Sequence, residues 1–184
     1  MFLLGHTGIG SALAERFTEP RWFRWLLAGT LLPDLIDKPL YYGLVFITGR
    51  RGAALGLISS TRTVGHTTLL LLAVLLVGLC ARHRGFVAVA LGMATHLLLD
   101  LGGSLLNPQG SLRGTPDSPS TLCAVLYPLL GWRFPVMPFQ DISGHVGSLR
   151  SPHVIAGEII GGLLLWRRWR RSRRMPSTGP TAPR

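Results

Sequence analysis

Acidic residues are scarce: eight Asp and Glu stand against nineteen Lys and Arg in 184 residues, and charged residues make up only 15% of the chain. So little charge beside 47% hydrophobic residues excludes an average soluble domain. Cysteine is nearly absent. Cys80 and Cys123 both lie in apolar runs, which excludes a disulfide framework and leaves packing as their default role. The N-terminus "MFLLGHTGIGSALAERF" lacks a basic stretch ahead of its apolar run, so a cleaved signal peptide is not expected. At this length a second core is not expected either.

The net charge of +11 would suit a nucleic-acid binder if it covered a helix face. Instead Arg167, Arg168, Arg170, Arg171, Arg173 and Arg174 crowd into "WRRWRRSRR" directly after the apolar run "VIAGEIIGGLLLW". That adjacency is what the positive-inside bias produces, with Trp166 and Trp169 as interfacial anchors. No nucleic-acid partner is expected. The expected partner is a lipid bilayer, the inner (cytoplasmic) membrane, with the basic tail expected on the cytoplasmic side.

Residues 63–81, "TVGHTTLLLLAVLLVGLCA", and residues 85–106 read as a helical hairpin turned by "RHR" at Arg82 to Arg84. Each arm is close to the length that a helix needs to cross a bilayer. A third apolar helix is expected over 153–166. A shorter N-terminal pair is expected, with one helix ending near Arg16 and another starting after Pro20. Residues 39–60 are apolar but broken by "GRRG", and either span or re-enter. Residues 107–152 are rich in Pro, Gly and Ser and read as an irregular loop. The expected fold is therefore an all-α, multi-spanning bundle of about four or five membrane-embedded helices over residues 1–166, with a basic, partly disordered tail at 167–184.

Against that background "LLPDLID" is anomalous, because an unpaired acid in hydrocarbon costs about 2.5 to 3.5 kcal/mol. The helical repeat offers a reason. His66 and Asp100 lie equally far from His83, one before it and one after. Two helical arms with the same rise per residue therefore return both side chains to one depth. His96, at i−4 from Asp100, shares its face. In the N-terminal pair His6 and Asp34 lie equally far from Pro20, and Asp37 follows Asp34 at i+3. Six side chains, His6, Asp34, Asp37, His66, His96 and Asp100, are thus expected at one end of the bundle, opposite its basic turns. Imidazole and carboxylate are ligands for zinc and its first-row neighbours, and a divalent cation makes such acids tolerable. Six candidates suggest two or more ions, or one ion plus a general base. Other readings of the same residues remain open: Thr67 and Thr68 as helix caps, Asp34 and Asp37 as helix-start acids, or a proton or ion pathway. His83 is expected to be solvated, and Asp141, His145, His153 and Glu158 are second-rank candidates.

The motifs "GHT", "LLPDLID", "TRTVGHTT" and "ATHLLLDLG", followed by a loop ending in "FPVMPF", resemble the LexA-regulated, membrane-bound metal-dependent hydrolases of prokaryotes over about residues 1–140. That family is thought to be distantly related to zinc-dependent phospholipase C and the single-strand nucleases, all-helical phosphoesterases with a zinc cluster. By position the resemblance implies the same six metal residues. It departs at Thr61, where the family often has an additional His, and at "GHT" in place of "THS". The function this implies is hydrolysis of a phosphoester or other ester in an amphiphilic or lipid-linked substrate. One or more divalent ions, zinc by expectation, would activate water, with Asp37 orienting or deprotonating it and Arg62 neutralising a phosphate. Two alternatives stand beside the enzyme: a small membrane transporter, and a non-enzymatic adaptor whose polar residues hold helices together.

Overall fold

The computed structural model describes residues 3–106, 120–137, 147 and 150–174, and among them there is helix and no strand. The chain opens with a π-helical turn, Gly5–Ile9, that runs into α1, Gly10–Ala14. Short 3-10 turns over Glu15–Phe17 and Pro20–Trp22 reverse the chain into α2, Phe23–Thr48. The 3-10 turns Gly52–Leu55 and Val64–His66 lead to α3, Thr68–Cys80. Then follow α4, Arg84–Leu106, the short α5, Thr121–Val125, and α6, Pro152–Arg174.

Glycine decides how closely the helices approach. A Cβ on Gly29 would sit 2.1 Å from the Val89 carbonyl oxygen, and one on Gly92 would sit 2.3 Å from that of Leu26. Helices α2 and α4 therefore touch backbone to backbone, the kind of contact that small residues permit. The same device joins the N-terminal turn to α6, where a Cβ on Gly8 would meet the Gly161 carbonyl oxygen at 2.0 Å. Around the α2–α4 crossing Ala14, Leu26 and Ala88 form a buried cluster with Trp22, Phe23 and Leu91 packed on it. Helix α4 is central, with α1, α2, α3 and α5 against it.

Local chemistry ends the helices as their sequences suggest. Thr67 caps α3, its hydroxyl oxygen accepting the Leu70 N–H at 3.1 Å. Helix α3 closes in a Schellman motif: His83 N–H donates to the Gly78 carbonyl and Arg82 N–H to that of Leu79. Arg82 itself takes the left-handed conformation this requires. Gly49, also left-handed, stops α2.

Among the described residues only Arg84–Ser104 of α4 is long and apolar enough, by length and composition, to cross a bilayer. Helix α3 has 13 residues, about 20 Å of helix against ~30 Å of hydrocarbon. Helix α2 carries Arg24, Asp34, Asp37 and Lys38, and α6 turns to arginine after Trp166. Residues 39–60 divide at the expected "GRRG" break, with α2 continuing through Pro33 and Pro39 to Thr48. An interior proline costs about 3 kcal/mol, and the packing of α2 on α4 and around buried Pro33 offsets it. The arginine run forms the last turns of α6 as far as Arg174. Asp141 and His145 lie outside the described residues.

The basic turns, the Pro20–Trp22 turn and the end of α6 meet at one end of the bundle. Glu15 pairs with Arg168, whose guanidinium lies 3.4 Å over the Phe23 ring. Glu19 pairs with Arg84 and Arg21. The Arg84 hydrogen bond and the Arg21 charge hold its carboxyl below the usual range. His83 is not solvated as expected. It is half-buried among Trp22, Trp25 and Phe86, with ring centroids 5.3, 5.5 and 5.3 Å away.

Candidate metal centre

At the other end, the members of the expected set arrive on several different elements. His6 comes on the π-helical turn, a local widening that is frequent at functional sites. Asp34 and Asp37 come on α2, His66 on the 3-10 turn before α3, and His96 and Asp100 on α4. The α3–α4 hairpin brings His66 Nε2 to 3.5 Å from Asp100 Oδ2. His66 Nε2 is also 3.7 Å from Asp34 Oδ1, and His96 Nε2 is 3.9 Å from Asp100 Oδ2. His6 stacks on His96 with centroids 4.0 Å apart, and its Nε2 lies 3.1 Å from Asp100 Oδ1. His6, His96 and Asp100 each offer a ligand atom within 4.8 Å of the others, and so do Asp34, His66 and His96.

The tautomers follow from the outer partners. His96 Nδ1–H donates to the Thr30 carbonyl at 2.7 Å, and His66 Nδ1–H donates to Asp37 Oδ2 at 2.7 Å. Both partners are pure acceptors, so each neutral ring turns an unprotonated Nε2 inward. Those two nitrogens lie 3.2 Å apart. These two nitrogens, with carboxylate oxygens of Asp34 and Asp100 beside them, form an acceptor-rich cluster that a cation would satisfy. The buried His and Asp groups can hold a metal ion, and the second partner on each imidazole is the usual outer support of a metal-ligating histidine.

Asp37 lies behind His66 at the same end of the bundle. Its carboxylate accepts the Thr63 N–H (2.6 Å) and hydroxyl (2.9 Å), the Gly65 N–H (2.8 Å) and His66 Nδ1–H (2.7 Å). Four donors saturate it, so it orients His66 and ties the loop at 63–66 to α2 instead of offering a ligand oxygen. Gly65 is required there: a Cβ would meet the Pro33 carbonyl oxygen at 2.6 Å. Arg62 is engaged with protein, its Nε and Nη2 donating to Asp100 Oδ2 and Oδ1 at 3.1 and 3.2 Å. Its Nη1 donates to Thr121 Oγ1 at 3.2 Å.

Among the second-rank candidates His153 is exposed on the first turn of α6, and Glu158 accepts the N–H groups of Leu4 and Gly5, both at 2.9 Å. Glu158 thereby anchors the turn that carries His6. At the departure from the family pattern, the Thr61 hydroxyl is directed to Met137 Sδ at 3.9 Å. Both cysteines are free, and Cys80 is exposed, not packed.

Lys38 is a site residue that the sequence motifs do not single out. Its Nζ donates to Asp34 Oδ2 at 2.6 Å. The i,i+4 spacing within "DLIDK" is the available signal. Thr30, acting through a backbone carbonyl, leaves none. In comparisons with known proteins the chain matches no family model, no curated protein and no solved structure.

Proposed function

We propose that this chain is a membrane-bound metal-dependent hydrolase. The carrying observation is the pair of Nε2 atoms of His66 and His96, 3.2 Å apart, with carboxylates around them and outer partners on both Nδ1 atoms. His6, Asp34, His66, His96 and Asp100 would hold one or more divalent ions. Three imidazoles with two carboxylates are a ligand set that zinc and its first-row neighbours accept. A divalent ion held there would supply Lewis acidity and activate water for attack on an ester. Asp37 keeps His66 in its ligating tautomer, and Arg62 holds Asp100 in place at the exposed side of the site. The order of the four motifs, resembling the LexA-regulated hydrolases, supports the same reading.

A bilayer setting is supported by the outward faces of two helices. Leu69, Leu72, Leu76, Val77 and Leu79 of α3 are half or more exposed, as are Ile159, Ile160 and Leu163 of α6. Apolar patches of that extent mark a surface that meets lipid or another protein. The arginine and tryptophan end then sits at the cytoplasmic interface, and the site faces a lipid-linked or amphiphilic ester.

The test is elemental analysis of detergent-purified protein, with phosphodiesterase and esterase assays, on wild type, Asp34→Ala and His96→Ala. Bound metal and activity in wild type, both lost in the variants, are expected. Metal retained in both variants would end the reading, and cation flux in liposomes without bound metal would favour the ion pathway.

A further inference from the structure

Between α5 and Met137 the chain makes a tight excursion whose base is packed and whose tip is bare. Ala124, Val125 and Phe134 are buried, and the Tyr127 ring stacks on Phe134 with centroids 4.5 Å apart. Across the tip Leu129 N–H donates to the Leu126 carbonyl at 2.7 Å, and Gly131 N–H donates to that of Pro128 at 3.1 Å. Yet Leu129 is 84% exposed, Leu130 51% and Trp132 74%, with exposed Arg133 next in the chain. Single apolar side chains scattered on a surface are ordinary. Three within four residues, held out by a folded base, form a built projection.

Both legs of the projection stand on the segment that leads to His66. On the incoming side Thr121 Oγ1 accepts from Arg62 Nη1 and lies 3.1 Å from Ser104 Oγ. On the outgoing side Met137 N–H donates to the Ser59 carbonyl at 2.9 Å, and the Ser59 hydroxyl donates to the Pro135 carbonyl at 3.0 Å. Ser104 closes the 21-residue apolar stretch Arg84–Ser104. At a helical rise of 1.5 Å per residue that stretch is about 30 Å long, the hydrocarbon thickness of a bilayer. The projection is thus mounted at the far end of the stretch from Arg84, which lies with the basic turns and the arginine end of α6. Tryptophan is enriched where hydrocarbon gives way to headgroups, at both faces of a membrane. Trp166 and Trp169 stand at one end of this bundle and Trp132 at the other.

We propose that Leu129, Leu130 and Trp132 form a wedge that enters the headgroup region of the bilayer at the site end, with Arg133 at the level of the lipid phosphates. The wedge rests on the bilayer setting of the proposed function and adds where the site stands within it. His66 and its neighbours open beside lipid headgroups, so an ester reaches them from the lipid layer and not from bulk water.

The experiment sets Trp132 against lipids brominated either near the glycerol or near the tail end of their chains, in reconstituted vesicles of phosphatidylcholine and phosphatidylglycerol. The Trp132 signal is the emission of wild type minus that of Trp132→Phe, a conservative change at an exposed position. Blue-shifted emission is expected, quenched about twofold or more by the shallow bromines and less by the deep ones. Stronger quenching by the deep bromines would overturn the headgroup placement. Emission like that of indole in water, open to aqueous acrylamide and untouched by either lipid, would overturn the wedge, and the bilayer setting would stand on quenching of the other tryptophans. Shielding from bromine and acrylamide alike would overturn the lipid as occupant in favour of a second copy or another protein. Protein that stays off the vesicles altogether would overturn both wedge and bilayer setting.

Discussion

The two ends of the bundle are built on the same helices and handle charge in opposite ways. At the site end His6, His66, His96, Asp37 and Asp100 are buried to 4% exposure or less, and their polar atoms are turned toward one another. At the basic end the charged groups lie against aromatic faces and remain half open: Arg168 over Phe23, Arg170 over Trp166 and Arg173 over Trp169 at 3.4, 4.8 and 4.1 Å. A long cation can bury its stem and leave its head at an interface. A short carboxylate cannot, so it needs donors or a cation brought to it. The site end is therefore a polar interior, and the basic end is a surface.

The sharpest way to break the comparison is to separate the helices that span both ends. Gly92→Leu places a side chain where Leu26 and Thr30 backbone already stands. It should cost at least about 3 kcal/mol, more than ordinary overpacking, because backbone cannot repack. Loss of a cooperative melt in detergent would register it. Asp37→Asn comes next, since an amide cannot accept four hydrogen bonds. A loss of about 3 kcal/mol is expected, together with metal affinity down about 10- to 100-fold through a loosened His66. Competition with a chromophoric chelator measures the second effect, and a normal metal affinity would remove Asp37 from its supporting role.

Chelation tests the site end without mutation. Removing an ion present at about 100 times its dissociation constant should withdraw about 2.7 kcal/mol and lower the melting temperature. The basic end should be indifferent. Arg168→Ala is expected to cost only about 1 kcal/mol, because a partly exposed pair and a cation–π contact are worth little more. Its metal content should match wild type. The smallest effect is a gain: Arg82→Gly, at a left-handed backbone position, relieves about 1 kcal/mol of strain. A rise of the melting temperature with unchanged metal content would keep the two ends independent.

Much of the site is legible in the sequence because helix arithmetic is rigid. The "RHR" turn folds α3 back on α4, which brings the turn carrying His66 near Asp100, and i,i+4 spacing sets His96 beside it. Side chains that act through short-range helical geometry announce themselves in this way. Asp37 misleads for the opposite reason. Its i+3 relation to Asp34 is real, but its partners Thr63 and Gly65 lie on an irregular loop whose course no periodicity encodes. The extent of α2 is hidden because proline is a local helix breaker, and only tertiary packing around Pro33 overrules it. His83 reads as solvated from its basic neighbours. Its burial comes from Trp22 and Trp25, which belong to the other helical pair.

By itself the sequence determined an all-helical chain with a basic, tryptophan-flanked end and an excess of apolar surface, because composition and periodicity are properties of single segments. It also determined which His and Asp share a level, since rise per residue is fixed. Only the tertiary structure decided which atoms turn inward. That choice depends on Thr30, Asp37 and Arg62 supplying partners from elements distant in the chain, and a hydrogen bond chooses its geometry only once both groups are in place.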